Sequence, residues 1–102
     1  PIRAIDFFER ALEKSPDSNT WISYAVSLRA VGRFKQSETS YRQALMLSPD
    51  SGDAWFNLGN LYRDTGRSDK AEVAYKKVIS SGNDNLAGLA REELVRLRPT
   101  FK

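Results

Sequence analysis

Apolar side chains recur along most of the chain at intervals of three and four residues, the spacing that places them on one face of an α-helix. The clearest example is the segment from Trp55 to Tyr75, in which the polar break Gly66-Arg67-Ser68 separates two such runs. Two amphipathic runs around a glycine-containing break predict a helical hairpin. The same spacing predicts about six helices in all, at residues 3–14, 19 to near Gly32, 35–47, 53–65, 69–81 and 85–98.

This pattern repeats with a fixed period, because residues of one hairpin recur 34 positions later in the next. The matching pairs are Trp21 and Trp55, Gly32 and Gly66, Arg33 and Arg67, and Tyr41 and Tyr75. A fixed period of this length is typical of stacked helical repeats. The sequence therefore predicts an all-α fold with one repeat at 19–49 and a second, better-defined repeat at 53–83.

The beginning of the chain departs from the 34-residue period. The helix predicted at 3–14 matches the second helix of a repeat at a constant offset of 33 residues. The first helix of that repeat would precede Pro1. We therefore expect the chain to begin within a repeat and to be a fragment of a longer array.

The last predicted helix, at 85–98, also departs from the period. Its apolar stripe consists of Leu86, Ala90, Leu94, Leu97 and, beyond Pro99, Phe101. The 34-residue period predicts that the core positions Trp55, Leu58, Gly59 and Tyr62 recur as Leu89, Glu92, Glu93 and Arg96. Three of these four residues are charged, so they do not suit a core. Because the ends of a stacked array need one polar face, we predict a capping helix here.

The composition is that of an ordinary globular chain. Its 102 residues are enough to bury one continuous core, so we expect a single domain over 1–102. Hydrophobic residues make up 40% and charged residues 28%, and no apolar run approaches the roughly 18 residues of a membrane span, which predicts no membrane insertion. No signal-peptide pattern is visible at the start, so a cytoplasmic location is our expectation, although the lack of cysteine is compatible with exported compartments too.

Residues with catalytic or metal-binding chemistry are scarce. Cysteine and histidine are both absent, which removes the commonest zinc ligands and the commonest general base near neutral pH. The adjacent pair Glu92-Glu93 would point in directions about 100° apart on a helix, which does not suit a shared acid–base site. The net charge of +3 comes from 16 basic and 13 acidic residues that are interspersed, unlike a nucleic-acid-binding face. We predict no catalytic residue, cofactor, metal site or nucleic-acid partner.

Residues 3–83 strongly resemble the tetratricopeptide repeat family. The resemblance rests on the 34-residue period and on a motif that consists of Trp55, Leu58, Gly59, Tyr62, Gly66, Ala71 and Tyr75. The upstream copy has a less typical set in corresponding places, namely Trp21, Tyr24, Ala25, Leu28 and Ser37. The resemblance implies antiparallel helix hairpins stacked as a short right-handed α-solenoid, with small residues such as Gly59 where helices approach closely.

In proteins that this chain resembles, the first helix of each repeat lines a concave surface. The stripe that would face it on the helix at 53–65 consists of Asp53, Phe56, Asn57, Asn60, Arg63 and Asp64. The matching stripe on the preceding repeat consists of Asn19, Ile22, Ser23, Val26, Arg29 and Ala30. The two stripes combine apolar side chains with amides that can hold a peptide backbone and guanidinium groups that can pair with carboxylates. This combination predicts a groove for an extended peptide or a partner helix.

Two binding arrangements of the family are matched only in part. In the clamp for C-terminal carboxylates, Asn57 matches one amide position, but Ile22 and Val26 replace the first lysine and asparagine, and Arg91 cannot be aligned. We therefore do not predict a chaperone-tail clamp. The run around Asn57 also resembles sugar-transferase repeats, whose asparagine row binds peptide backbone, but Ser23 upstream leaves that row one residue long.

If the groove binds peptide, replacing Asn57 and Asn60 by alanine should weaken binding with nearly unchanged thermal stability.

A structural role is the alternative function. The repeats would then form part of a longer solenoid or of a larger multidomain protein, or mediate self-association, without a ligand of their own. The unpaired first helix would expose Ile5, Phe7 or Phe8, and an uncovered apolar face favours association into homo-oligomers. An enzymatic role would require a catalytic domain elsewhere in a longer protein.

Overall fold

The computed structural model of the chain describes residues 2–97. This range contains no strand and six α-helices: α1 (Ile2–Lys14), α2 (Ser18–Ala30), α3 (Phe34–Leu47), α4 (Gly52–Asp64), α5 (Ser68–Ser80) and α6 (Asp84–Leu97). Every helix begins one residue before its predicted start. The all-α fold predicted from the repeat pattern is therefore confirmed. The chain divides into two compact units between Pro49 and Asp50, and the single domain expected from its length stays a prediction.

In the first unit, α2 packs against both α1 and α3. The buried apolar side chains of this unit are Ile5, Ala25, Leu28, Tyr41 and Ala44. Ser37 is buried as well, and its hydroxyl donates a hydrogen bond of 2.7 Å to the carbonyl of Ala25. This bond satisfies a buried polar group and joins α3 to α2, which explains why serine fits where the second repeat has Ala71.

The exposed apolar surface of α1 differs in part from the prediction. Phe7 is 64% exposed, as expected for a helix without a partner on that side. Ile5 is only 5% exposed, so its predicted exposure is wrong, because α1 packs on α2 and covers that side chain. Phe8 is half-buried, and its ring meets the ring of Phe7 edge-on at a centroid distance of 5.2 Å.

In the second unit, α5 packs against α4 and α6, and α4 touches α6. Its fully buried side chains include Ala54, Leu61, Ala71, Tyr75, Val78 and Ala90. The ring of Tyr75 lies directly on α4 at Gly59, where an added β-carbon would be 2.8 Å from the ring atom Cε1. Glycine at this position therefore allows the two helices to approach, as the small-residue pattern predicts.

Local interactions determine where the helices end and begin. At the end of α4, Gly66 adopts a φ of +79°, which favours glycine, and the next amide, of Arg67, donates to the Tyr62 carbonyl at 2.8 Å. Three helices begin at side chains that accept a hydrogen bond from the amide three residues later, namely Asp17 for α2, Ser51 for α4 and Asn83 for α6. The bond from the Thr20 amide lowers the pKa of Asp17.

The register of α6 differs from the 34-residue extrapolation. Its capping residue Asn83 follows Ser51 by 32 positions, whereas Ser51 follows Asp17 by 34. With this shorter spacing, the positions of Trp55, Leu58 and Tyr62 are taken by Ala87, Ala90 and Leu94. Ala87 and Ala90 are buried, whereas Leu89 is 47% exposed. The predicted apolar stripe agrees with this register up to Leu97, which is half-buried, and its last member, Phe101, lies outside the described residues.

Candidate functional site

The α2 face, defined as Ile22, Ser23, Val26 and Arg29, is the predicted binding stripe of the first repeat. These residues recur at three- and four-residue spacing on one helix, so α2 brings them to the same side. Val26 is 45% exposed, and the other three are half-buried. The α2 face therefore presents an apolar centre with a hydroxyl at one side and a guanidinium one turn further along.

The α4 face, defined as Asp53, Phe56, Asn57, Asn60, Arg63 and Asp64, is the predicted stripe of the second repeat. In its first half, Asp53 is exposed and Asn57 is half-buried. The amide nitrogen of Asn57 donates to the backbone carbonyl of Asp53 at 2.9 Å, so this side chain folds back on its own helix. The ring of Phe56 packs against Tyr75 of α5 at a centroid distance of 5.8 Å.

The second half of the α4 face is held by contacts with α5 and α6. The Asn60 side-chain oxygen accepts a bond of 2.6 Å from the Tyr75 hydroxyl and one of 3.4 Å from Arg63. The guanidinium of Arg63 pairs with Glu93 of α6 at 2.8 Å and with Asp64 at 3.0 Å. Burial disfavours the charged form of this guanidinium, but the bonds to Glu93 and Asp64 outweigh that effect and raise the pKa of Arg63.

Glu93 is a member of this network that the sequence did not reveal. Its side chain is 12% exposed and also binds Arg96 at 2.8 Å. The 34-residue extrapolation assigned Glu93 to a core position because it ran two residues out of register. Only the contact between α6 and α4 shows that this carboxylate faces Arg63.

The expectation that alanine at both Asn57 and Asn60 leaves stability nearly unchanged is contradicted by these contacts. Asn57 bonds only to its own helix, so its replacement removes an exposed local interaction. Asn60 accepts a bond of 2.6 Å from the hydroxyl of the buried Tyr75, so its replacement removes a hydrogen bond between α4 and α5. A test of binding must therefore avoid Asn60.

The tyrosines at equivalent positions of the two repeats differ in their hydrogen bonding. Tyr75 donates to Asn60, whereas the hydroxyl of Tyr41 is fully buried and has no hydrogen-bond partner among the described residues. Burial raises the pKa of Tyr41 to about 12, against the opposing effects of the Arg29 charge and of the neighbouring Ser37 hydroxyl. The position 34 residues before Asn60 is Val26, which has no polar atom to accept the bond. The sequence pattern alone did not point to this difference.

Other kinds of site have little support in the part of the chain that the structure describes. Acidic side chains between residues 2 and 97 form no cluster of three or more that could hold a metal ion. Over the same residues, every helix is too short or too polar to cross a membrane. The faces of α2 and α4 therefore remain the main candidates for function.

The solved structures that share the fold of this chain include PcrH and YrrB. PcrH, in complex with the chaperone binding region of PopD, gives a TM-score of 0.84 at 15% identity and covers 91% of this chain and 74% of that chain. YrrB, described as a TPR protein with an unusual peptide-binding site, gives a TM-score of 0.76 at 26% identity and covers 88% of this chain and 48% of that chain. The likeness to PcrH concerns the fold alone.

Sequence comparison leads to the same family. The human protein O-mannosyl-transferase TMTC1 is 34% identical over 100 residues, which are 93% of this chain but 11% of TMTC1. The chain thus spans about a tenth of that relative's length. The family model of the tetratricopeptide repeat matches residues 25–85, more than half of the chain. The chain therefore belongs to the tetratricopeptide repeat family.

Proposed function

We propose that this chain is a noncatalytic protein-interaction module, in which the α2 face and the α4 face, each within its own unit, are surfaces that bind an extended peptide or a partner helix by noncovalent docking. The observation that carries the proposal is the partly exposed apolar centre of the α2 face, Val26, between half-buried Ile22 and Arg29. An exposed apolar side chain flanked by groups that can form hydrogen bonds and ion pairs suits a protein ligand. The peptide-binding site named for YrrB, a protein of the same fold, supports this proposal.

The two faces, one in each unit, differ in the contacts that they offer to a ligand. On the α4 face, the contacts of Asn60 and Arg63 with Tyr75 and Glu93 fix those side chains before any ligand arrives. A preorganised surface loses less conformational entropy on binding. In the first unit, the α2 face would offer a ligand an apolar contact. In the second unit, the first half of the α4 face, with Asp53 and Asn57, would offer polar contacts.

An aspartate at position 26 should abolish most of this binding. The probes are peptides selected against the chain from a random-sequence library displayed on phage. We expect Val26→Asp to weaken their binding by about tenfold or more, because the ligand would bury an unpaired carboxylate. Affinity is measured by fluorescence anisotropy with labelled peptides.

The matched control for this variant is Val73→Asp on α5, because Val73 is also a helical valine and is 56% exposed. It should bind the selected peptides as tightly as the parent chain. Equal affinity of Val26→Asp and the parent would contradict the assignment of the α2 face. Equal loss of affinity in both variants would point to a nonspecific effect of charge.

Self-association through α1 is a second candidate function, favoured by the 64% exposure of Phe7. If this surface mediates assembly, the mass measured by light scattering after gel filtration should rise with concentration, and Phe7→Glu should return it to that of a monomer. Burying such an aromatic side chain in an interface provides much of the driving force for association. A monomeric mass at every concentration would argue against assembly through α1.

A further inference from the structure

The tyrosine hydroxyls at equivalent positions of the two repeats, Tyr41 and Tyr75, differ in their hydrogen bonding. In the second repeat, the Tyr75 hydroxyl donates to the side-chain oxygen of Asn60 at 2.6 Å. In the first repeat, the Tyr41 hydroxyl is buried without a partner among residues 2–97, and Val26 stands where an asparagine would accept its bond. Buried hydroxyls almost always have a partner, so an exception of this kind calls for a physical explanation.

The surroundings of Tyr41 do not provide an acceptor. Ser37, one turn earlier on α3, lies close enough to Tyr41 to lower its pKa, but its hydroxyl donates to the carbonyl of Ala25 at 2.7 Å and forms no hydrogen bond with the Tyr41 hydroxyl. The guanidinium of Arg29 contains donors only. Among residues 2–97, the Tyr41 hydroxyl therefore has no oxygen that accepts its hydrogen bond.

We propose that a backbone carbonyl of a bound, extended peptide accepts the Tyr41 hydroxyl bond at the α2 face, in the position that the Asn60 amide oxygen holds in the second repeat. This inference rests on the proposed function and adds the chemistry of one contact to it. A peptide carbonyl has the same amide chemistry as the Asn60 side chain. A peptide carbonyl is also neutral. Moving a neutral carbonyl from water to a site beside Ile22 and Val26 costs less free energy than moving a carboxylate there.

Access to the hydroxyl depends on the side chain at position 26. Val26 occupies the position that corresponds to Asn60, whose oxygen binds the Tyr75 hydroxyl, and its 45% exposure makes it the residue that the peptide would meet first. Peptide binding would then include a small displacement of Val26 that uncovers the donor.

Two variants remove this contact in opposite ways. Tyr41→Phe deletes the donor, and Val26→Asn supplies an internal acceptor that occupies it, as Asn60 does for Tyr75. Both should bind the phage-selected peptides about tenfold more weakly than the parent, the change expected when a hydrogen bond to a buried donor is lost. Tyr24→Phe is the matched control, because it deletes a hydroxyl of the same unit that donates to Glu9 at 2.9 Å and lies outside the α2 face, and it should bind as the parent does.

The outcomes separate this inference from the proposed function. If Val26→Asp abolishes binding but Tyr41→Phe binds as the parent does, the carbonyl contact is overturned and the α2 face remains a binding surface. If Tyr24→Phe weakens binding as much as Tyr41→Phe, the hydroxyls act through the fold, which also overturns the contact. Failure to select any peptide, or full binding by Val26→Asp, contradicts the proposed function and the inference together.

Discussion

Replacing Gly59 with leucine should lower the free energy of unfolding by about 3 kcal/mol, the upper end of the usual cost of overpacking a core. A β-carbon at this position would lie 2.8, 3.0 and 3.2 Å from three ring atoms of Tyr75. The ring cannot easily move away, because its hydroxyl is bonded to Asn60 and its face packs against Phe56. Chemical denaturation followed by circular dichroism measures the loss.

The matched control is Gly88→Leu, because Gly88 also lies within a helix but a β-carbon there would meet nothing within 4 Å. Leucine is a better helix former than glycine, so this variant should gain up to about 1 kcal/mol. The two substitutions should thus change stability in opposite directions. A Gly59→Leu chain that unfolds at the same denaturant concentration as the parent would refute the close packing of α4 on α5.

Much of the fold could be predicted because it is determined by local sequence. The three- and four-residue spacing and capping residues such as Ser51 set the helix bounds. The register of α6 could not be predicted in the same way. The period was measured over two repeats, and the chain reaches the capping residue Asn83 two positions early, which moves Glu93 from a supposed core position to the partner of Arg63.

The candidate site was predictable only as far as the helical faces. Helical spacing places Asn57, Asn60 and Arg63 on one side of α4. It does not reveal that Asn60 is bonded to Tyr75, since that depends on how α5 packs. The same limit applies to Tyr41. The first repeat has Val26 where the second has Asn60, and this difference matters only once the structure shows that Asn60 binds the Tyr75 hydroxyl.

Tyr75→Phe should lower the free energy of unfolding by about 1–2 kcal/mol, whereas Tyr41→Phe should leave it unchanged or raise it slightly. The first substitution removes a 2.6 Å hydrogen bond and leaves the Asn60 oxygen with only the longer bond from Arg63. The second removes a buried hydroxyl that has no partner among the described residues, so no hydrogen bond is lost. Both are measured by chemical denaturation near neutral pH. Equal losses in the two variants would show that the hydroxyls have equivalent surroundings.

The pH dependence of stability offers an independent check of the same difference. In the unfolded chain a tyrosine ionises near its ordinary pKa of about 10, whereas burial raises the pKa of Tyr41 to about 12 in the folded chain. The unfolded state therefore loses its proton first, so the stability that is present below pH 10 decreases as the pH rises from about 10 to 12. Tyr41→Phe lacks this group and should show a shallower decrease than the parent. Identical slopes would mean that Tyr41 ionises as readily in the folded chain as in the unfolded one, and that its hydroxyl is not buried.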